Sequence, residues 1–362
     1  MTSTTTRNAT LEDLAVLLKD QQGRKHDVVA PAQTIRAEAG QLVLAGDGRY
    51  TPTETCDAGI AAKLDIPVAY LRRTRQQRPD LYDYNVNAWL ENDDRQFLVR
   101  ALRDNDDEGI ARAFLSDSYA AIDNLDALVA ALSGIRAADA DAIVDTCDLS
   151  ERRMYVRVQS QSVAALAPEL MRGYRSPFTG DEGTDNPTVF AGFVLSNSEV
   201  GQGAFTITPR LVFQVCRNGM TISRDALRQT HLGSKLDAGV ISWSDDTRSK
   251  NVELIGAQAR DSVATFLDSG YVERQLLAIE GAAAVRISEP QKVISEVGKQ
   301  LHFTDAQVDD VLSSFIAGGQ LTAGGVMQAV TAAAQTTTDA DTAFDMEASG
   351  IRALELAAQL SR

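Results

Sequence analysis

The sequence predicts an α+β protein of mixed helices and antiparallel strands, with a central β-hairpin region followed by a C-terminal helical region. Three observations lead to this prediction. Apolar residues alternate at Phe205, Ile207 and Leu211, which is the two-residue period of a half-buried strand. From residue 246 onward, apolar residues recur with the 3.6-residue period of a helix. In the first half of the chain the two patterns occur in turn.

The length of 362 residues exceeds what one hydrophobic core usually holds, so we expect more than one region. Residues 1–50 are predicted to form an N-terminal helix and short strands. Residues 51–245 are predicted to form an α+β core that contains the central antiparallel hairpin. Residues 246–362 are predicted to be helical. Hydrophobic residues make up 44% of the chain, which is an ordinary globular proportion.

The first region begins with a helix, because leucines recur at helical spacing between Thr10, a suitable N-cap, and Gly23. Residues 1–8 lack the charged and apolar segments of a signal peptide, and we expect them to be a frayed tail. Residues 27–44 predict short strands, and residues 46–52 predict a turn cluster.

The second region begins with helices and continues with strands around a central hairpin. Residues 196–203 are polar and contain glycine, so they predict the connection between the two hairpin strands. Asn218 and Gly219 are typical of a tight hairpin turn. Helices are predicted at residues 53–64, 68–77, 81–90 and 125–132, strands at 97–102, 110–115, 142–144, 154–158, 189–195, 204–216 and 220–222, and a loop at 174–187.

The third region predicts six helices. Thr304 and Gln307 have the spacing of a capping box at the start of one of them. Two glycine pairs, Gly318-Gly319 and Gly324-Gly325, predict a junction between helices, because a phosphate loop would need a preceding strand and a following Lys-Ser/Thr. The predicted helices cover residues 252–266, 272–284, 293–301, 308–316, 326–334 and 343–360.

Composition favours an intracellular protein without a cofactor. Cys56, Cys147 and Cys216 are isolated and odd in number, which disfavours a disulfide framework and a zinc site. No apolar run approaches the roughly 20 residues that span a bilayer, so no membrane association is expected. The net charge of −15 repels nucleic acid at long range, but screening still permits a local basic face.

No catalytic or metal-binding motif is recognisable in the sequence. His26, His231 and His302 are the only histidines and lie far apart. Pairs of acidic residues occur mostly in predicted turns or at helix starts, where they complement the helix dipole. We therefore assign no catalytic residue, and an enzyme is the less favoured interpretation. A metal-dependent hydrolase or nuclease remains an alternative if scattered carboxylates converge in one cleft.

Arginine residues cluster in three segments, and arginine forks suit phosphate groups. Tyr70, Tyr82, Tyr84 and Trp89 lie near the first cluster and could stack on bases. The competing interpretation is a set of solvated faces paired with the many carboxylates. The candidate DNA-binding residues are Arg72, Arg73, Arg75, Arg78, Arg152, Arg153, Arg157, Arg217, Arg224, Arg228 and Lys235.

The connection within the central hairpin is a second candidate site. It carries hydrogen-bond donors, acceptors and one carboxylate to a hairpin tip, so it could face a ligand or a partner subunit. Equally, Asn and Ser side chains readily satisfy local backbone groups in turns. The candidate residues of this loop are Asn197, Ser198, Glu199, Gly201 and Asn218.

Several segments resemble a phage- and plasmid-borne family known as domain of unknown function nine-three-two. They are residues 113–119 (Ala-Phe-Leu-Ser-Asp-Ser-Tyr), 122–124, 192–201, 215–220, 61–71 and 328–331. The resemblance covers most of the chain after about residue 50. The chain departs from the family pattern at Ser118, where arginine is usual, and at Gly325 and Gln328, where an aromatic residue and asparagine are common.

The resemblance implies a protein of mobile elements in the bacterial cytoplasm and supplies no established activity. Our leading expectation is a non-enzymatic accessory protein of phage or plasmid DNA metabolism that binds single-stranded DNA in recombination or replication. A homo-oligomer formed by strand-edge pairing is also expected. The alternative is a protein-binding module that acts on a host or defence protein.

Overall fold

The computed structural model describes residues 5–105, 107–119, 121–138, 141–215, 219–229 and 244–361. It confirms the α+β class, because the described residues form two β-sheets with a helical C-terminal region. The strands are β1 (Thr6–Ala9), β2 (Lys25–Pro31), β3 (Ile35–Glu38), β4 (Gln41–Leu44), β5 (Gly48–Pro52), β6 (Gln96–Arg103), β7 (Glu108–Ser116), β8 (Ala142–Leu149), β9 (Met154–Leu166), β10 (Thr188–Asn197), β11 (Phe205–Phe213), β12 (Gly219–Thr221) and β13 (Leu227–Gln229).

The predicted helices are all present, most of them with shifts of a few residues at their ends. The helix Asp245–Phe266 begins seven residues before its predicted start at 252, and the short helix Pro168–Met171 was not predicted. Gly319 has a φ of +70° and ends one of the predicted helices, so the first glycine pair does form a helix junction. The helices are α1 (Leu11–Arg24), α2 (Glu54–Leu64), α3 (Val68–Gln77), α4 (Pro79–Leu90), α5 (Asn124–Ala137), α6 (Pro168–Met171), α7 (Asp245–Phe266), α8 (Ser269–Ala283), α9 (Pro290–Gln300), α10 (Asp305–Gly318), α11 (Ala323–Thr336) and α12 (Ala340–Leu360).

The first sheet has the strand order β2-β6-β7-β5-β4-β3. Its neighbours are antiparallel except for β5 and β7, which are parallel. Helices α2, α3 and α4 cover one face. Their apolar residues pack on Tyr50, Phe97 and Phe114, and the two phenylalanine rings lie 4.5 Å apart between centroids. The sheet combines β2, β3 and β4 of the predicted first region with β6 and β7 of the predicted second region.

The second sheet has the order β1-β8-β9-β10-β11-β12, with β13 also paired to β11. The predicted central hairpin is its β10–β11 pair, in which Val189 lies opposite Phe213 and Ser196 opposite Thr206. A large core that includes Leu14, Phe193 and Val272 joins this sheet to α1, α5, α7 and α8. The last four helices have an apolar core of their own.

Three local predictions were wrong. Gly219, predicted to lie in a tight hairpin turn, is the first residue of β12 and lies opposite Val212. The expected tail contains β1, because Asp148 accepts hydrogen bonds from the Asn8 backbone N–H and the Arg7 guanidinium and so holds this short polar segment against β8. The expected turn cluster contains β5, because this segment pairs with both β4 and β7 and buries Tyr50. In the described residues, no helix is both long and apolar enough to cross a membrane.

Candidate functional site

The tip of the central hairpin points into the protein, although it was a candidate for a ligand-facing loop. Asn197 and Ser198 are fully buried. The Asn197 amide donates to the carbonyl of Ile122 and to the Asn124 side chain, both at 2.9 Å. The Ser198 hydroxyl donates to the Arg152 carbonyl at 2.7 Å. Gly201, with a φ of +81°, provides the left-handed turn that this path requires.

Glu199 connects this tip to both sheets. Its carboxylate forms an ion pair with Arg112 on β7 and accepts a hydrogen bond of 2.8 Å from the Asn124 backbone N–H at the start of α5. Burial opposes ionisation of Glu199, but Arg112 and Arg100 outweigh it, so the pKa of Glu199 lies below its usual value. The carboxylate therefore stays ionised at neutral pH.

Arg100 on β6 completes this junction. Its Nη1 donates to the Glu199 carbonyl and its Nη2 to Asp123, both at 2.6 Å, and its Nε contacts Asp27 at 3.1 Å. Lys25 also pairs with Asp123. Both donors, Arg100 and Lys25, therefore have acceptors within this junction, and each acceptor has a donor. A buried charge network needs such complete pairing to be stable. Neither Arg100 nor Arg112 was among the candidate residues predicted from the sequence. Each is a charged residue inside an otherwise apolar run of a strand, and that pattern could have identified both.

A second buried network holds α12 against the second sheet. Arg157 on β9 pairs with Asp148 and contacts Glu347 of α12 at 3.3 Å. Arg210 on β11 contacts the same Glu347 at 3.7 Å and Asp145 at 3.6 Å. Arg157 was a candidate DNA-binding residue. With its side chain only 2% exposed, it has no surface from which to contact a phosphate.

Arg75 is a second candidate that the structure engages inside the protein. Its Nε donates to the buried Asp57 at 2.8 Å. Burial raises the pKa of Asp57 above its usual value, although Arg75 and the Tyr82 hydroxyl act in the opposite direction. Arg75 therefore neutralises an interior carboxylate. Tyr82 is buried as well and cannot stack on a base.

The other candidates divide between the surface and the undescribed part of the chain. Arg72 donates to the Glu54 carbonyl at 2.8 Å, and Arg153 donates to the Gln202 carbonyl at 2.7 Å. Arg152 and Arg228 are exposed. Arg217, Asn218, Lys235, Cys216 and His231 lie outside the described residues, as does the side chain of Arg224.

One surface combines arginines with exposed aromatic residues, and we call it the α3–α4 face. Tyr70 on α3 and Tyr84 and Trp89 on α4 are 43%, 72% and 58% exposed. The Asn85 amide contacts the Tyr70 hydroxyl at 3.4 Å, so α3 and α4 lie side by side at this point. The remaining members of the α3–α4 face are Arg72, Arg73, Arg78 and Leu81.

The arginines of the α3–α4 face are weakly engaged. Arg73 donates to Gln77 at 3.2 Å and makes no ion pair within the described residues. Arg78 pairs with Asp80 on the surface at 2.6 Å. Both side chains of this pair are exposed, so solvent screens their attraction and another anion can replace the carboxylate.

One cleft, with a volume of about 740 Å³, is lined by the carboxylates of Glu54, Glu151, Asp339 and Asp341. Burial and the nearby Glu54 raise the pKa of Glu151 above its usual value. Within the part of the chain that the structure describes, no group of three or more His, Cys, Asp or Glu side chains could hold a metal ion. The metal-dependent alternative gains no support from these residues.

Comparisons with family models, with curated proteins and with solved structures find no match to this chain.

Proposed function

We propose that this chain is a non-enzymatic accessory protein of phage or plasmid DNA metabolism, and that it binds single-stranded DNA through the α3–α4 face. The main supporting observation is that Tyr70, Tyr84 and Trp89 are exposed on the two helices that carry or adjoin Arg73 and Arg78, whose partners are an amide and an exposed carboxylate. The sequence resemblance supports the setting, namely recombination or replication in the cytoplasm of a bacterial host.

Single strands fit this surface better than duplex DNA. Each unpaired base offers a flat π-face, and stacking on an aromatic side chain contributes about 1–3 kcal/mol per base. The guanidinium groups of Arg73 and Arg78 can contact backbone phosphates at the same time. A duplex keeps its bases stacked on one another and gives the aromatic residues nothing to contact.

The net charge of −15 repels DNA at long range, so only the local charges of the α3–α4 face can attract it. Screening confines the field of the distant carboxylates to roughly 8–10 Å at ordinary salt. We therefore expect weak binding whose affinity falls as salt rises, because phosphate contacts release counterions.

Fluorescence anisotropy with a labelled oligothymidine, measured across a salt series, tests the proposal. Replacing both Tyr84 and Trp89 by alanine should weaken binding at least roughly five-fold, because stacking is lost. Arg73→Ala should reduce the salt slope by about 0.7, which corresponds to one phosphate contact on a single strand. Phe178→Ala, which removes an exposed aromatic residue elsewhere, is the matched control. Absence of binding at low salt would refute the proposal.

A host or defence protein is the second candidate partner. Leu81 of the α3–α4 face is exposed, as is Val68 at the start of α3, and aromatic residues with arginine are enriched at protein interfaces. Recovery of a stoichiometric protein partner from host lysate, without DNA and dependent on Tyr84 and Trp89, would favour this candidate. The expected homo-oligomer stays a prediction that light scattering can check.

A further inference from the structure

The two edges of the first sheet differ in how they are closed. At the β3 edge, the Asn87 amide of α4 accepts from the Ala37 N–H at 2.7 Å and donates to the Ala37 carbonyl at 2.9 Å. The neighbouring Asp83 accepts from the N–H groups of Ala39 and Gly40. These side chains replace a neighbouring strand and block further pairing.

The β2 edge has no such cover within the described residues. The Ala32 N–H donates to the Arg95 carbonyl at 3.0 Å, so hydrogen-bonded positions alternate backward from residue 32 along β2. By this alternation, the backbone N–H and C=O groups of Asp27 and Val29 point away from β6. Neither residue uses these groups in a hydrogen bond with another described residue. The edge can therefore accept another strand.

A groove of about 570 Å³ runs beside this edge. Its floor is the cross-strand pair of Val29 and Leu98, and Val29 is 51% exposed. Its wall includes Ile122 before α5 and Val252 of α7. An apolar side chain of an added strand would bury its surface here, at roughly 25 cal/mol per Å² removed from water.

In the described part of the chain, the groove is lined by four carboxylates, those of Asp27, Asp117, Asp123 and Asp126, but by only two cations, Lys25 and Arg100. Arg100 and Lys25 already neutralise Asp27 and Asp123. Asp126 also lines the groove and makes no ion pair or hydrogen bond within the described residues. Burial, together with the nearby Asp123, raises the pKa of Asp126 above its usual value, and a basic side chain would relieve this effect.

We propose that the β2 edge binds an extended basic peptide segment of a partner protein as an added strand. Its backbone pairs with Asp27 and Val29, one apolar side chain lies on the Val29–Leu98 floor, and a lysine or arginine two residues away reaches Asp126. Alternate side chains of an extended strand point to the same face, which gives this spacing. A second copy of the chain fits less well, because pairing two β2 edges would bring two acidic grooves together.

Backbone amide exchange tests the pairing directly. The probe is a capped Val-Thr-Lys-Thr-Val-Thr-Lys peptide, the Val-Lys peptide, which places Val and Lys two residues apart on one face, and we expect it to slow exchange of the Asp27 and Val29 amides at least ten-fold at saturation. The same peptide with every backbone nitrogen N-methylated has the same side chains and charge but lacks N–H donors, and it should have no such effect. Unchanged exchange with the first peptide, or equal slowing with both, would overturn the proposal. Slowing that depends on protein concentration without peptide would instead indicate a second copy and would also overturn it.

Peptide affinity tests the charged contact. Asp126→Asn should weaken binding of the Val-Lys peptide roughly three- to ten-fold, because one partly buried ion pair is lost. Asp65→Asn removes the same charge at an exposed position outside the groove and is the matched control. Equal weakening by both substitutions would mean that only the overall negative charge attracts the peptide, and would overturn the assignment. Binding of oligothymidine should not weaken in Asp126→Asn, which separates this site from the α3–α4 face.

Discussion

Glu199 and Arg112 form an ion pair between the two sheets, although they lie 87 residues apart in the chain. Glu199 follows β10 of the second sheet, and Arg112 lies on β7 of the first. The same carboxylate accepts from the Asn124 N–H at 2.8 Å. The polar hairpin tip therefore joins two sheets and one helix inside the protein, which accounts for its content of Asn, Ser and Glu without an external ligand.

Glu199→Gln should lower the free energy of unfolding by about 3 kcal/mol. The amide keeps the size of the side chain but leaves the Arg112 guanidinium buried without its counter-charge, and breaking a buried pair costs about 3–5 kcal/mol. Urea denaturation measures the change. Glu91→Gln is the control, because Glu91 pairs with Arg36 at an exposed site and should change stability by less than about 1 kcal/mol. Equal losses in both variants would contradict the junction role.

The protein should lose stability at acidic pH, because its buried carboxylates become protonated and lose their ion pairs. Burial opposes ionisation of Asp148, but Arg157, Arg7 and the Asn8 N–H outweigh it, so the pKa of Asp148 is lowered. A lowered folded-state pKa gives stability that is fully present above the unfolded-state pKa of about 3.9 and is lost as pH falls through the folded-state pKa. Urea unfolding between pH 7 and pH 2.5 should show this loss below about pH 4. Asp148→Asn should flatten that slope, and an unchanged slope would exclude Asp148 as a source.

Local patterns were sufficient to predict most of the elements. The helices from α7 to α12 and the β10–β11 hairpin follow directly from apolar periods of 3.6 and 2 residues. β1 and β5 were missed because they are short and mostly polar, and only pairing with distant strands makes them extended. Their conformation depends on tertiary contacts that no local window contains.

The site was harder to predict than the fold, because partners determine which polar residues reach the surface. The sequence showed Arg75 and Arg157 as members of clusters, but their partners Asp57 and Glu347 lie 18 and 190 residues away. The hairpin tip was correctly placed in a turn, while its direction depends on Arg112 in the other sheet. Likewise, the exposure of Tyr84 and Trp89 depends on how α4 packs against the first sheet, which the sequence does not show.

Gly59→Ala should destabilise the protein even though it lies inside α2. Alanine in a helix interior ordinarily stabilises by about 0.5–1 kcal/mol relative to glycine. At Gly59, however, an added Cβ would lie 2.5 Å from the Phe114 carbonyl oxygen on β7, so backbone must move. We expect a loss of about 1–3 kcal/mol. Gly281→Ala on α8 meets nothing within 4 Å and should stabilise, so thermal unfolding should shift in opposite directions for the two variants.

Asn87→Ala should uncover the β3 edge. The Ala37 N–H and C=O would lose both hydrogen bonds, and leaving a buried polar group unsatisfied costs about 1–3 kcal/mol. An open strand edge also favours association between chains, so light scattering on warming should rise together with the loss of stability in urea. Asn92→Ala serves as the control, because the Asn92 amide makes only an exposed contact with the Ala88 carbonyl near the end of the same helix. If both variants behaved alike, the Asn87 amide would not be what closes this edge.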